Sequence, residues 1–351
     1  MIIEDINIEK KTLRLNVPFK ITYEEVREVE MVYIKLTDKK GNYGLGSASP
    51  DPHVTGETIE KSYELLKKHL TTEFFSLPLS HWYRYHEKIQ TAFAGHPSAQ
   101  SAVEEAVLSL FTQAHNLSLA QLFGGYYDSR KTMITLGIMP LEKTLAEAQK
   151  YLGEGFTTIK LKCGLNTEDD IAKIHALRKT IPGSYNLVLD ANQGYSLAEA
   201  KTLLESIHTL NIGFIEEPVS AENHDDIKKV KQMNLVPIIA DESAVSFKDI
   251  LRLLKDDFVD GVNIKLMKCG GPVNFMKSFS LARSLQKITM IGCNYESNIS
   301  LTTGAHLALA LPIDYIDLDS GRLDFADDYT TGGMSIKNGI ITIEDPVRMS
   351  N

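Results

Sequence analysis

The chain has 351 residues, with 37 basic against 46 acidic and a net charge of −9; this leaves no basic face for a phosphate backbone and excludes nucleic acid as a partner. Cys163, Cys269 and Cys293 form an odd count scattered through apolar segments without metal-type spacing, which points to reduced thiols and a cytoplasmic compartment. No stretch approaches the ~20 apolar residues of a membrane span, the amino terminus has no apolar leader, and the length suits about two domains, so a soluble, unprocessed protein is expected.

Residues 1 to about 50 hold alternating, β-branched segments around Ile6–Leu13, Glu30–Thr37 and Tyr43–Ala48, with Lys39-Lys40-Gly41-Asn42 as the turn between the last two. Helical spacing follows over Thr58–Leu70, Ser80–Ala92 and Pro97–His115, where Ala102, Ala106 and Leu110 share one face. This block reads as α+β. From about Lys131 short apolar runs alternate with amphipathic segments. The runs are Met133–Ile138, Thr158–Lys162, Asn186–Asp190, Phe214–Glu216, Pro237–Asp241, Gly261–Lys265, Thr289–Cys293 and Tyr315–Asp317. Eight strands separated by helices predict a closed parallel barrel, whose chemistry collects at the carboxyl ends of the strands. A last strand-like run, Gly339–Glu344, is expected to pack back on the amino-terminal block.

Asp190, Glu216 and Asp241 close three successive apolar runs, about one β/α unit apart, so they should converge at the barrel mouth. Any one of them alone could be a helix cap. As a set of hard oxygen donors without His or Cys they favour Mg²⁺, with Mn²⁺ as the variant, over zinc. Residues two apart in a strand point the same way, so Lys160 and Lys162 share a side, and Lys265 ends the sixth run across the barrel from them. Burial and neighbouring cations are expected to lower the lysine pKa values toward working pH, suiting them to draw a proton from carbon beside a metal-held carboxylate. Asp317 and Asp319 repeat the alternation at the eighth run, and a substrate ammonium group would relieve their mutual repulsion.

With these residues in place the chain resembles the enolase superfamily, in its muconate-lactonising subgroup, over nearly its whole length. The resemblance implies an α/β fold: a modified TIM barrel, (β/α)7β, with an amino-terminal α+β capping domain completed by the carboxy-terminal tail. The expected divisions are 1–125, 126–321 and 322–351. It also implies Asp190, Glu216 and Asp241 as Mg²⁺ ligands and Lys162 and Lys265 as the two bases, with Lys160 adding charge near the substrate carboxylate. Within the subgroup, Asp317-Leu318-Asp319 resembles the pair with which dipeptide epimerases hold the substrate's terminal ammonium, and Glu296 falls in an acid-containing loop after strand seven.

Two loops are further implied to read the substrate side chain: Pro18–Glu25, with Thr22 and Glu24 as substrate-binding candidates, and Asp51–Glu57. Acids at Glu24 and Glu25 disfavour a glutamyl side chain, so neutral or cationic side chains are expected. The expected activity is Mg-dependent epimerisation of a small-molecule dipeptide at its carboxyl-terminal residue, L,L to L,D, by a homo-oligomer. The alternatives are an N-acylamino-acid racemase or an o-succinylbenzoate synthase, and outside enzymes a metal protein that binds carboxylates without turnover.

Overall fold

The computed structural model describes residues 3–22, 24–181, 184–319, 325–326 and 328–350. Three antiparallel strands open the chain: β1 (Ile3–Lys20), β2 (Glu25–Asp38) and β3 (Tyr43–Ala48), in the order β1-β2-β3. The turn between β2 and β3 forms where Gly41 takes φ +83°, and the Asp38 carboxylate accepts from the backbone N–H groups of Lys40 and Asn42. β1 runs past the predicted Leu13 because a register shift after Arg14 lets Phe19 and Lys20 pair again with Val26 and Glu25. One face of this sheet buries Ile8, Val32, Ile34 and Leu36 against helices Ile59–His69, Trp82–Ala92 and Pro97–Ala114, through Leu66, Ile89, Ala99, Ala102 and Ala106.

After the short strand β4 (Arg130–Lys131), eight strands form one parallel sheet: β5 (Ile134–Leu136), β6 (Thr158–Lys162), β7 (Asn186–Asp190), β8 (Ile212–Glu216), β9 (Ile238–Ala240), β10 (Gly261–Lys265), β11 (Ile288–Gly292) and β12 (Tyr315–Asp317). Each neighbours the next in sequence, and the Met133 N–H donates to the Ile316 carbonyl at 2.9 Å, bringing the last strand back to the first. β5 is shorter than the run Met133–Ile138 suggests, because Met133 turns to β12 and the Ile138 N–H leaves the sheet to donate to Lys20 O. Among the described residues seven major helices lie between the strands. Several start on side-chain caps, as where Ser196 and Glu199 bond reciprocally to each other's backbone N–H.

The strand alternation sorts side chains into two compartments. Ile159, Leu161, Leu187, Leu189, Ile215 and Ile264 point outward into the large core beneath the helices. Met133, Val188, Phe214, Ile239 and Met290 point inward and fill the lower barrel. One step further along, the inward positions are the polar Thr135, Asp190, Glu216 and Asp241, and Gly292.

β13 (Thr330–Lys337) and β14 (Ile340–Met349) form a hairpin that pairs with β4. Its Met334 and Ile341 join the barrel core, while Val347 and Met349 pack with Leu13, Leu15 and Met31 of the amino-terminal sheet. The tail expected to pack on the capping block thus touches both parts of the molecule. The division expected at 321/322 lies outside the described residues. Among the described residues no helix is long and apolar enough to cross a membrane.

Candidate active site

Strand register sets the site's level. Lys162 pairs with Asp190 and Asp190 with Glu216 along β6, β7 and β8, while Lys265 pairs with Gly292 and Gly292 with Asp317 along β10, β11 and β12. Gly292 is required here, since a Cβ would fall 2.5 Å from the Asn263 side chain. Asn263 thereby stays in the barrel interior, where its Nδ2 donates to Glu216 Oε1 at 2.8 Å.

Four lysines and four carboxylates interleave. Lys160 Nζ, almost fully buried, lies 2.9 Å from Asp190, 2.8 Å from Glu216 and 2.7 Å from Asp317. Lys162 Nζ donates to Asp190 Oδ2 at 2.7 Å and to Asn192 Oδ1 at 2.8 Å. Lys265 Nζ lies 2.8 Å from Asp241 Oδ2, and the buried Lys268 Nζ bonds the other oxygen, Oδ1. Burial would lower the pKa of Lys160, but Asp190, Asp317 and Glu216 outweigh it and hold the ammonium well above its usual range. Burial acts likewise on Lys265, and Asp241 and Glu216 raise it. For Lys160 and Lys265 the direction is thus opposite to the one expected with a cation among the acids: with only these side chains present, the acids dominate. Burial opposes ionisation of Asp190 as well, yet Lys160 and Lys162 pull its pKa down to about 2.

A cavity of about 430 Å³ opens above this network, lined at its base by Lys160, Lys162, Asp241, Lys265, Asp317 and Asp319. Glu24 and Asp51 line its mouth, and burial together with Asp51 raises the Glu24 pKa. Lys20, Lys143, Glu147 and Lys150 also line it, so the outer wall carries both signs. Asp319 accepts from the Thr135 N–H at 2.6 Å, and Asp317 Oδ1 from the Thr135 hydroxyl at 3.2 Å.

Two candidates sit elsewhere than expected. Thr22 does not line the cavity; its hydroxyl lies 2.9 Å from the Cys163 carbonyl and 3.1 Å from that of Ala191, tying the first loop to the barrel rim. That approach needs Gly164 at φ +107°, where a Cβ would come within 2.4 Å of Ala191 O. Glu296 is buried and accepts from the Asn294 N–H at 2.8 Å, while Cys293, Asn294 and Tyr295 of the same loop line the cavity. Burial pushes Glu296 up to about 7.

The sequence reading passed over Asn192, Glu242, Asn263 and Lys268. The strings Asp190-Ala191-Asn192 and Asp241-Glu242-Ser243 hold two of them beside residues it used. Lys268 lies on the four-residue helix Leu266–Cys269, where strand periodicity gives no signal.

Among the described residues no group of three His, Cys, Asp or Glu side chains is gathered closely enough to form a ready-made metal cage. Lysine ammonium groups supply the countercharge instead. The donor chemistry nevertheless fits a hard divalent cation. Asp190, Glu216 and Asp241 are buried carboxylates, and Glu216 Oε2, though 2.8 Å from Lys160 Nζ, makes no directed hydrogen bond.

Residues 3–124 match the mandelate racemase / muconate lactonizing enzyme N-terminal domain, and residues 143–347 match the enolase C-terminal domain-like family. The L-Lys-D/L-Arg epimerase of Desulforapulum autotrophicum is 35% identical over 347 residues, covering 98% of each chain. The substrate-liganded L-Ala-D/L-Glu epimerase from Bacillus subtilis superposes with a TM-score of 0.93 at 30% identity, over 100% of this chain and 98% of the other. The dipeptide epimerase from Methylococcus capsulatus, complexed with Mg and the dipeptide L-Arg-D-Lys, gives a TM-score of 0.92 at 31% identity, over 99% and 98%.

Proposed function

Because the chain belongs to the mandelate racemase / muconate lactonizing enzyme family of the enolase superfamily, we propose that it epimerises dipeptides, moving the α-proton of the carboxyl-terminal residue. The observation that carries this reading is that Lys162 and Lys265, from the second and sixth barrel strands, line one cavity. A binding protein has no use for a base on each side of its ligand. One lysine, acting as the free amine, takes the proton from the α-carbon, and the opposite ammonium returns one to the other face. Lys160 contributes fixed positive charge near the substrate carboxylate.

Asp190, Glu216 and Asp241 would hold Mg²⁺, or Mn²⁺ by the same hard-oxygen preference. Bound there, the ion would supply the charge that acidifies the α-carbon through the substrate carboxylate. Asp317 and Asp319 would take the substrate's ammonium and so choose which α-carbon lies between the lysines. An acylated amine offers them no cation, which favours a free dipeptide over an N-acylamino acid or a succinylbenzoate precursor. The acids Glu24 and Asp51 at the mouth favour a cationic side chain over an anionic one, as does a relative named for lysine and arginine.

Incubation with Mg²⁺ and pooled L,L-dipeptides in D₂O tests the reading. A mass gain of one unit at the α-carbon, with inversion, is expected for lysyl and arginyl dipeptides. No gain in any pool, or an acylated amino acid outcompeting every free dipeptide, overturns it.

A further inference from the structure

Glu242 is buried, lines the cavity and enters none of the lysine ion pairs. Its Oε1 accepts from Asn192 Nδ2 at 2.9 Å, and its Oε2 has no hydrogen-bond partner among the described residues. Asn192 Oδ1 in turn accepts from Lys162 Nζ at 2.8 Å. A primary amide has one accepting end and one donating end, an ammonium only donates, and a carboxyl oxygen that carries no proton only accepts. One orientation of Asn192 satisfies both neighbours. Reversed, its NH₂ would face the ammonium and its carbonyl the carboxylate, two repulsive contacts in a buried place.

The Asn192 backbone is committed to this arrangement. It takes φ +40°, in the left-handed region asparagine tolerates, and its N–H donates to Asp190 Oδ1 at 3.0 Å.

We propose that Glu242 is a positioning residue for Lys162, acting through Asn192: it fixes the amide so that its carbonyl oxygen aims the Lys162 amine into the cavity. The device is one-sided. Lys265 is aimed by Asp241, whose other oxygen is taken by Lys268, and neither Glu242 nor Asn192 touches it. A defect in Glu242 therefore affects one face of the α-carbon. When that face reacts, the Cα–H bond breaks, its electron pair stays with the substrate, and an N–H bond forms on Lys162.

The inference rests on the two-lysine reading above, and one experiment separates them. With Mg²⁺-loaded enzyme in D₂O, deuterium is measured in the recovered, uninverted L,L- and L,D-dipeptides for the wild type, K162A, E242Q, E242L and N192L. K162A identifies the epimer whose proton faces Lys162. For that epimer, E242L and N192L should exchange about 10–100-fold more slowly, as when a supporting contact to a functional group is lost, while the other epimer stays within about threefold of wild type. E242Q, which keeps an oxygen for Asn192 Nδ2, should restore most of the rate. The double variant E242L/N192L should be no worse than N192L. A crystal structure of E242L should show the Asn192 carbonyl turned from Lys162.

Equal losses on both epimers, or no loss in E242L, overturn the positioning role. N192L carries the same expectation should E242L fail to fold. Absence of exchange from either epimer in the wild type strikes the two-lysine reading itself.

Discussion

Lys160 Nζ and Asp317 Oδ2 meet at 2.7 Å, joining the second and last barrel strands across the interior. Asp317 therefore has a structural task beside its proposed hold on the substrate ammonium, whereas Asp319 hydrogen-bonds the Thr135 N–H. D317N should lose about 1–3 kcal/mol of stability, because a buried ammonium loses one of three anionic partners. D319N keeps an acceptor for Thr135 and should change stability by less than about 1 kcal/mol, yet raise KM for free dipeptides about tenfold. Chemical denaturation beside steady-state kinetics separates the two. An unchanged KM in D319N would remove that residue from substrate binding.

Glu24 and Asp51 should set charge preference at the mouth. E24Q and D51N are each expected to lower kcat/KM for lysyl and arginyl dipeptides about 3–30-fold and to leave alanyl and leucyl ones nearly unchanged. Burial and Asp51 raise the Glu24 pKa, so its charge is present above that raised value and lost as pH falls through it. KM for cationic dipeptides should therefore climb on acidification sooner than KM for neutral ones. Equal pH profiles for the two substrate classes would count against Glu24.

Glu105 predicts a slope in stability against pH. It sits where helix Pro97–Ala114 meets β3 and the barrel, accepting from the Ser47 N–H, Ser101 and Ser300, and burial with Glu296 nearby pushes it from 4.5 up to about 8. Between those values the folded state binds a proton that the unfolded state releases, so stability falls as pH rises through the window. The neutral isostere E105Q should flatten the slope. Its unfolding free energy relative to wild type should grow from pH 5 to pH 8, by a few kcal/mol at most. A constant difference across that range would refute the assignment.

Metal loading should be visible without turnover. Mg²⁺ added to enzyme stripped with chelator stabilises the state that binds it, by about 2.7 kcal/mol at 100 times the Kd, a rise of a few degrees in Tm. D190N and D241N should lose most of that rise. A full Mg²⁺-dependent shift in D241N would move the ion elsewhere.

The barrel and the central charges were legible in the sequence because both follow a period. The two-residue repeat put Lys160 and Lys162 on one side, and the β/α repeat brought Asp190, Glu216 and Asp241 to successive strand ends. What escaped has no period. Asn192 and Glu242 are 50 residues apart and meet only because β7 and β9, with β8 between them, bring their ends together over the barrel. Thr22 and Glu296 lie on segments whose neighbouring residues line the cavity, but a loop's sequence does not say which way a side chain turns. Thr22 turns to two carbonyls and Glu296 to a backbone N–H. The direction at Lys160 and Lys265 turns on how many acids each ammonium meets, which strand spacing alone does not count.

The apolar plug of Met133, Val188, Phe214, Ile239 and Met290 makes the barrel a vessel with a closed floor. The cavity therefore opens on the side of the strand carboxyl ends, where Pro18, Phe19 and Ile21 line it beside the segment that Thr22 fastens to the rim. With the floor closed, a substrate that enters on that side must leave by it, so a change there that slows arrival should slow departure as well.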